Sequence, residues 1–102
     1  MIVVVAAVCT PGVKIPVIEQ VLAAGAAAQN IMLAAAALGF NSMWKTGGPA
    51  YDETVKAALG LQAKDAIVGF MYLGTDAAKP DMQARPSWKD LVRQWGDQPG
   101  GE

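Results

Sequence analysis

Apolar positions along this chain fall in blocks rather than in fine alternation. Ile2 to Val8 is a continuous run of β-branched residues and alanine, closed by Thr10-Pro11-Gly12. A run so short, with no polar position inside it, predicts a strand covered on both faces. The second block starts after Pro16 and runs from Val17 to Leu38 as one long predicted helix. Gly39 falls at its C′ position, and Phe40 can fold back on the last turn. Ser42 to Thr46 is a short extended candidate, followed by a Gly-Gly-Pro loop. Asp52 caps a predicted helix from Glu53 to Leu59, which Gly60 stops. Ala66 to Leu73 is a second buried strand, ended by Gly74. Gly69 inside it marks a close approach by another backbone or a ligand. Residues 76–84 form a polar, proline-interrupted connector. "RPSWKDLVRQW" then opens with a Ser87/Asp90 cap and predicts a short helix carrying Trp88, Leu91 and Trp95 on one face. Residues 1–95 make one domain without internal repeats, and 96–102 a disordered tail.

The long helix decides what class of protein this is. It is apolar on every side, which suits either a core helix or a membrane span. Val21 to Phe40 has the length to cross a bilayer. Nine of those twenty residues are alanine, however, and Gln29 with Asn30 sits at the midpoint, where hydrocarbon would offer no partner. The charges outside it, Lys14, Glu19 and Lys45, give no orientation signal. A buried helix is the better reading. Two strands, one short strand and two short helices are too little to surround it and also cover both strand faces. The chain therefore reads as an oligomer, a fragment of something larger, or both.

Composition narrows the chemistry. With 102 residues, 53% of them hydrophobic and only 17% charged, the chain must hide much of its surface, since ordinary domains carry about 25% charged residues. A net charge of -1 gives no general attraction to nucleic acid. The single cysteine, Cys9, rules out an internal disulfide and multi-cysteine zinc sites. It reads as buried and inert. No histidine is present, so the commonest metal ligand and the usual neutral-pH base are both missing. No metal site is expected, and any chemistry belongs to a bound cofactor. The first ten residues lack the positive n-region of a signal peptide, and a cytoplasmic protein is expected. Tyr72 and Met71 read as core, Asp65 as a turn residue, Arg85 and Lys79 as solvated charges. Trp44 to Gly47 on its own is a strand ending in a turn.

The order of motifs adds more. "IVVVAAV", "KIPVIEQVLAAGAAAQNIMLAAAALGF", "NSMWKTG", a short helix ending "ALGL", "KDAIVGFMYLGT" and "ARPSWKDLVRQW" follow one another. In this order the chain resembles the C-terminal half of the bacterial FMN-dependent nitroreductases, in particular their short YdjA-like NAD(P)H nitroreductase members. The resemblance runs from Ile2 to Thr75, more loosely to Trp95. It implies an α+β fold, a mixed sheet packed around a long buried helix. It also implies an intertwined homodimer whose FMN sites are shared between subunits. The implied reaction moves electrons from NAD(P)H through FMN to a small acceptor such as a nitroaromatic or quinone.

By position, Trp44, Lys45 and Thr46 match the family's flavin-contacting strand segment. Thr46 and Gly47 stand where backbone N–H groups approach the flavin N5 edge. Lys45 replaces the arginine common in relatives, keeping the charge but losing the planar fork. Arg85 resembles the tail arginine that reaches the FMN phosphate. Ala34, Ala35, Ala36, Ala37, Leu38 and Gly39 match the segment assigned to NAD(P)H binding. No catalytic acid or base is implied. The family's N-terminal half, with its Arg-Arg-Ser-x-Arg phosphate-binding start, has no counterpart here, so half of a flavin site is expected. The alternative is a non-catalytic apolar helical protein, either an interaction module or a single membrane span.

Overall fold

The computed structural model describes residues 1–75 and 82–96. Strand β1 (Ile2–Ala7) leads to helix α1 (Val17–Ala37) and strand β2 (Asn41–Lys45). A 3-10 turn (Gly48–Tyr51), helix α2 (Glu53–Ala58) and strand β3 (Ala66–Gly74) follow. The strands form one sheet in the order β1-β3-β2, antiparallel throughout, with α1 lying on it. The fold class is α+β, as expected. The pairings within this chain are all antiparallel, so the mixed character of the expected sheet does not arise from it.

Each end of α1 is fixed by its own sequence. Pro16 stands at the N-cap with φ −59°, pre-set for helix entry, and its carbonyl accepts from Glu19 N at 3.0 Å. Gln20 ties down the preceding loop: its Oε1 accepts from Thr10 N at 2.8 Å, and its Nε2 donates to the carbonyls of Thr10 and Ile15. At the other end Gly39 has φ +87°. Gly39 N donates to Ala36 O at 3.1 Å and Phe40 N to Ala35 O at 2.9 Å. That is the two-bond reversal in which a left-handed residue closes a helix. The same device ends α2, where Gly60 N and Leu61 N donate to Ala57 O and Lys56 O. Asp52 caps the start of α2, its Oδ1 accepting from Thr54 N at 2.7 Å and Val55 N at 3.2 Å.

Two expectations about burial are corrected. The helix expected to be buried is covered on one side only: Ala28 and Ala35 are its buried residues, while Ile18, Leu22 and Leu33 are 58–68% exposed. A single three-stranded layer can cover one helix stripe, and here that stripe is Ala24, Gly25, Ala28, Ile31, Met32 and Ala35. The shortage of covering elements foreseen from the sequence is therefore real. The strands are not covered on both faces either. Ile2 pairs with Tyr72, and Tyr72 with Met43, and this cross-strand row is exposed. Tyr72 is thus not core, whereas Met71, one position away, is fully buried.

The membrane alternative meets the same geometry. α1 is long and apolar enough to span a bilayer by length and composition, yet one stripe of it is packed on the sheet. Beyond β3, the predicted helix over 85–95 is reduced to one 3-10 turn, Lys89–Leu91. Ser87 Oγ accepts from Lys89 N at 3.2 Å, a local turn; the N-cap position is Trp88, without a side-chain cap bond, so the expected Ser87/Asp90 cap is corrected along with its helix. Trp88, Leu91 and Trp95 are 65%, 84% and 100% exposed. So short a helix is marginal in water unless its apolar face is packed, and this one has no packing surface. Lys79 and the tail beyond Gly96 lie outside the described residues.

Candidate functional site

The end of β2 is built around Trp44. Its indole N–H donates to Val68 O at 3.0 Å, beside an irregularity where Val5 pairs with Gly69 and Ala6 with Ile67, leaving Val68 unpaired. A Cβ added at Gly69 would lie 2.7 Å from Trp44 Cδ1 and closer still to Nε1. On the helix side, a Cβ at Gly25 would sit 4.0 Å from the far edge of the same ring. The indole therefore fills the space that Gly69 leaves open, while at Gly25 a side-chain carbon would only touch it. The close approach expected at Gly69 exists, but a side chain makes it rather than a backbone or ligand.

With Trp44 fixed inward, the alternation of a strand turns Lys45 to the open face. There its Nζ stands 5.5 Å from the Tyr72 ring centroid, within reach of a cation–π contact. Thr46 and Gly47 are exposed. Gly47 has φ +72°, a left-handed value that favours glycine, and its carbonyl accepts from Ala50 N at 3.2 Å. Among the described residues no hydrogen bond uses the N–H of Thr46, Gly47 or Gly48. Three consecutive exposed residues whose N–H groups have no bond among the described residues, and one ammonium, thus stand at the end of this strand. That set suits an electron-rich, acceptor-bearing partner.

The other predicted positions are dispersed. Ala34 to Gly39 form the C-terminal end of α1, where Ala35 is buried and the others exposed. Arg85 is exposed on the segment 82–88, and no hydrogen bond or ion pair among the described residues joins it to the strand end. The chain brings Trp44, Lys45, Thr46 and Gly47 together, but not Arg85 or the helix end with them.

Asp65 closes a turn on Gln62, as expected, and also joins a long-range polar cluster that the sequence reading did not foresee. Asp65 is 4% exposed. Its Oδ1 accepts from Cys9 N at 3.0 Å and its Oδ2 from Gln62 N at 2.8 Å. Lys64 Nζ lies 3.7 Å from Oδ1 and donates to Cys9 O. The Gln62 backbone N–H, then that of Cys9 and the Lys64 charge, hold the carboxyl below its ordinary value against the opposing effect of burial. Asp65 is thus a clasp between the exit of β1 and the entry of β3. Cys9 is buried and free, as expected. The available signal was an Asp placed to close a turn on Gln62 immediately before an apolar strand.

Comparison with known proteins places this architecture. The model of the nitroreductase family matches residues 14–75, more than half of the chain, and the chain belongs to that family. It is 39% identical over 79 residues to "Putative NAD(P)H nitroreductase YdjA" of Escherichia coli (strain K12), covering 78% of this chain and 43% of that protein. It is 32% identical over 80 residues to "Putative NAD(P)H nitroreductase" of Haemophilus influenzae, covering 78% and 44%. The chain spans less than half the length of these curated relatives. Among solved structures, a nitroreductase-like family protein from Bacillus cereus superposes with a TM-score of 0.80 at 27% identity, covering 94% of this chain and 51% of that one. Nitroreductase A from Vibrio parahaemolyticus superposes at 0.67 and 28%, covering 88% and 40%.

Proposed function

We propose that this chain supplies one part of a cytoplasmic FMN-dependent NAD(P)H oxidoreductase of nitroreductase type. Its acceptors are nitroaromatics, quinones or similar small molecules, and it acts as a homodimer with flavin sites shared between subunits. The observation that carries the reading is the strand end at Lys45-Thr46-Gly47, within the part of the chain that matches the family. Its free amides and ammonium fit one edge of a flavin. A bound flavin supplies two-electron chemistry by taking up hydride and passing electrons on. The chain's own contribution is electrostatic. Donors held fixed by the Trp44 pin stabilise negative charge on a reduced ring without rearranging as it develops. Arg85, on its separate segment, is available to a phosphate, for which a planar guanidinium is well suited. The exposed aliphatic stripe of α1 and the open row Ile2, Tyr72 and Met43 support a partner subunit, since soluble monomers rarely leave such surfaces bare.

FMN titration tests the reading. Joined to the N-terminal half of a family member, the chain should quench FMN fluorescence on binding, and Lys45→Glu should weaken that binding by about tenfold or more through like-charge repulsion. Absence of quenching, or an unchanged affinity in the variant, would remove this strand end from a flavin site.

A further inference from the structure

The segment Ala34–Gly39 is matched to nicotinamide-cofactor binding by family resemblance, and three features of the structure oppose that role. The first is polarity. The helix end borders a cleft of about 390 Å3 lined by Ile31, Ala34, Leu38, Phe40, Leu73 and their neighbours. Apart from the amino group of Met1, which donates to Leu73 O at 3.1 Å, the lining side chains are all apolar. A nicotinamide dinucleotide brings a carboxamide, two riboses and a pyrophosphate, all of which lose water on binding and must be repaid in hydrogen bonds.

The second feature is that the backbone N–H donors, which a pyrophosphate would need, are already used. Leu38 N donates to Ala34 O at 3.0 Å, Gly39 N to Ala36 O at 3.1 Å and Phe40 N to Ala35 O at 2.9 Å. The donors at this corner are spent on closing the helix. The third is the sign of the charge. This is the C-terminal end of α1, where the helix dipole is negative, and its last turn holds no basic residue. Pyrophosphate favours the opposite end of a helix.

We infer that Ala34–Gly39 is an apolar packing corner and that nicotinamide dinucleotides do not bind there. The segment's task is to reverse the chain: Phe40 returns over the last turn, and Asn41 then enters β2 opposite Gly74. This inference is independent of the flavin reading, because it involves none of residues 44–47.

Two measurements with NADPH test it. In the first, the isotopically labelled chain is titrated and its backbone amide resonances are followed. Resonances of Ala34 to Phe40 should stay in place up to saturation, or throughout if nothing binds. In the second, the exposed Ala37 is replaced in Ala37→Glu, and the Kd is read from nicotinamide fluorescence. A dinucleotide site at the corner would lose about tenfold or more in affinity from the added negative charge. The packing corner should leave the Kd within a factor of about two, a difference well under 1 kcal/mol. Saturable shifts centred on Ala34–Gly39, or the tenfold loss, would overturn the inference. Unmoved resonances, an unchanged Kd or no NADPH binding at all would support it.

Discussion

The two sides of α1 are made from nearly the same residues and do opposite things. The inner side carries Ala24, Gly25, Ala28 and Ala35 together with the larger Ile31 and Met32. A Cβ added at Gly25 would just reach the Trp44 ring and Val68, at 4.0 Å from each. The outer side alternates alanine with Ile18, Leu22 and Leu33, all more than half exposed, around the polar pair Gln29 and Asn30. Hydropathy alone does not separate these sides, because both are apolar. Nor does side-chain size alone, since Ile31 and Met32 share the covered stripe and several alanines are exposed. The buried positions, Ala28 and Ala35, are small, whereas Ile18, Leu22 and Leu33 are surface still without a cover.

The sharpest way to break the inner side is to fill the one place where its packing depends on a missing side chain. Gly69→Val puts a branched carbon where the Trp44 indole lies, and no small movement resolves a clash with a ring held between helix and sheet. Overpacking of this kind costs about 2–3 kcal/mol. A large drop in the urea midpoint is expected, together with altered Trp44 fluorescence. A neutral Gly69→Val would mean that the indole is free to leave its slot, and the donors at Thr46 and Gly47 would lose their rigid support.

The clasp at Asp65 sets a second, pH-dependent limit on the same body. Its carboxyl is held below the ordinary value of 3.8, so folding favours the charged form. The sign follows from linkage: the stabilisation is complete above the unfolded carboxyl's pKa and is lost as pH falls through the lower folded value. Unfolding scans should therefore show a loss of stability below about pH 3.8, the ordinary value quoted above. Asp65→Asn should be less stable at neutral pH and flatter in acid. Parallel profiles for the two proteins would show that the acid loss originates elsewhere.

These cases mark what is legible in a sequence of this kind. Helix ends were readable because Pro16, Gly39, Asp52 and Gly60 act locally, through φ values and side chains that cap their own turn. The positions of β1 and β3 were readable from their apolar runs, and that of the more polar β2 from its place between Gly39 and the Gly-Gly-Pro loop. Burial was not, because whether Tyr72 or Leu33 is covered depends on surfaces outside its own segment. Asp65 was readable as a turn residue, and it closes a turn on Gln62; its long-range partner was not, because Cys9 is 56 positions away. The predicted helix carrying Trp88, Leu91 and Trp95 failed because its local signal, Ser87, closes only a turn on Lys89 and the exposed apolar residues give it no packing. For the site, the strand end was readable as a segment. That Trp44 points inward and pins it, while Lys45 points outward, required the register with β3.

The smallest expected effect on the folded chain is the one that probes the outer side. Leu22 is 64% exposed, so Leu22→Glu removes little buried area and should change the stability of the isolated chain by no more than about 0.5 kcal/mol. If the outer side meets a second copy, the same substitution places a carboxylate within an apolar contact, where burying an unpaired charge is strongly unfavourable. Sedimentation equilibrium should then show the parent chain associating and the variant remaining monomeric at the same concentration. The inner side offers the control, since Gly69→Val should unfold the chain and thereby lose association only as a consequence. A variant at Leu22 that folds normally and still associates would move the subunit contact away from this stripe of α1. The open row Ile2, Tyr72 and Met43 on the opposite face of the sheet would then be the next surface to test.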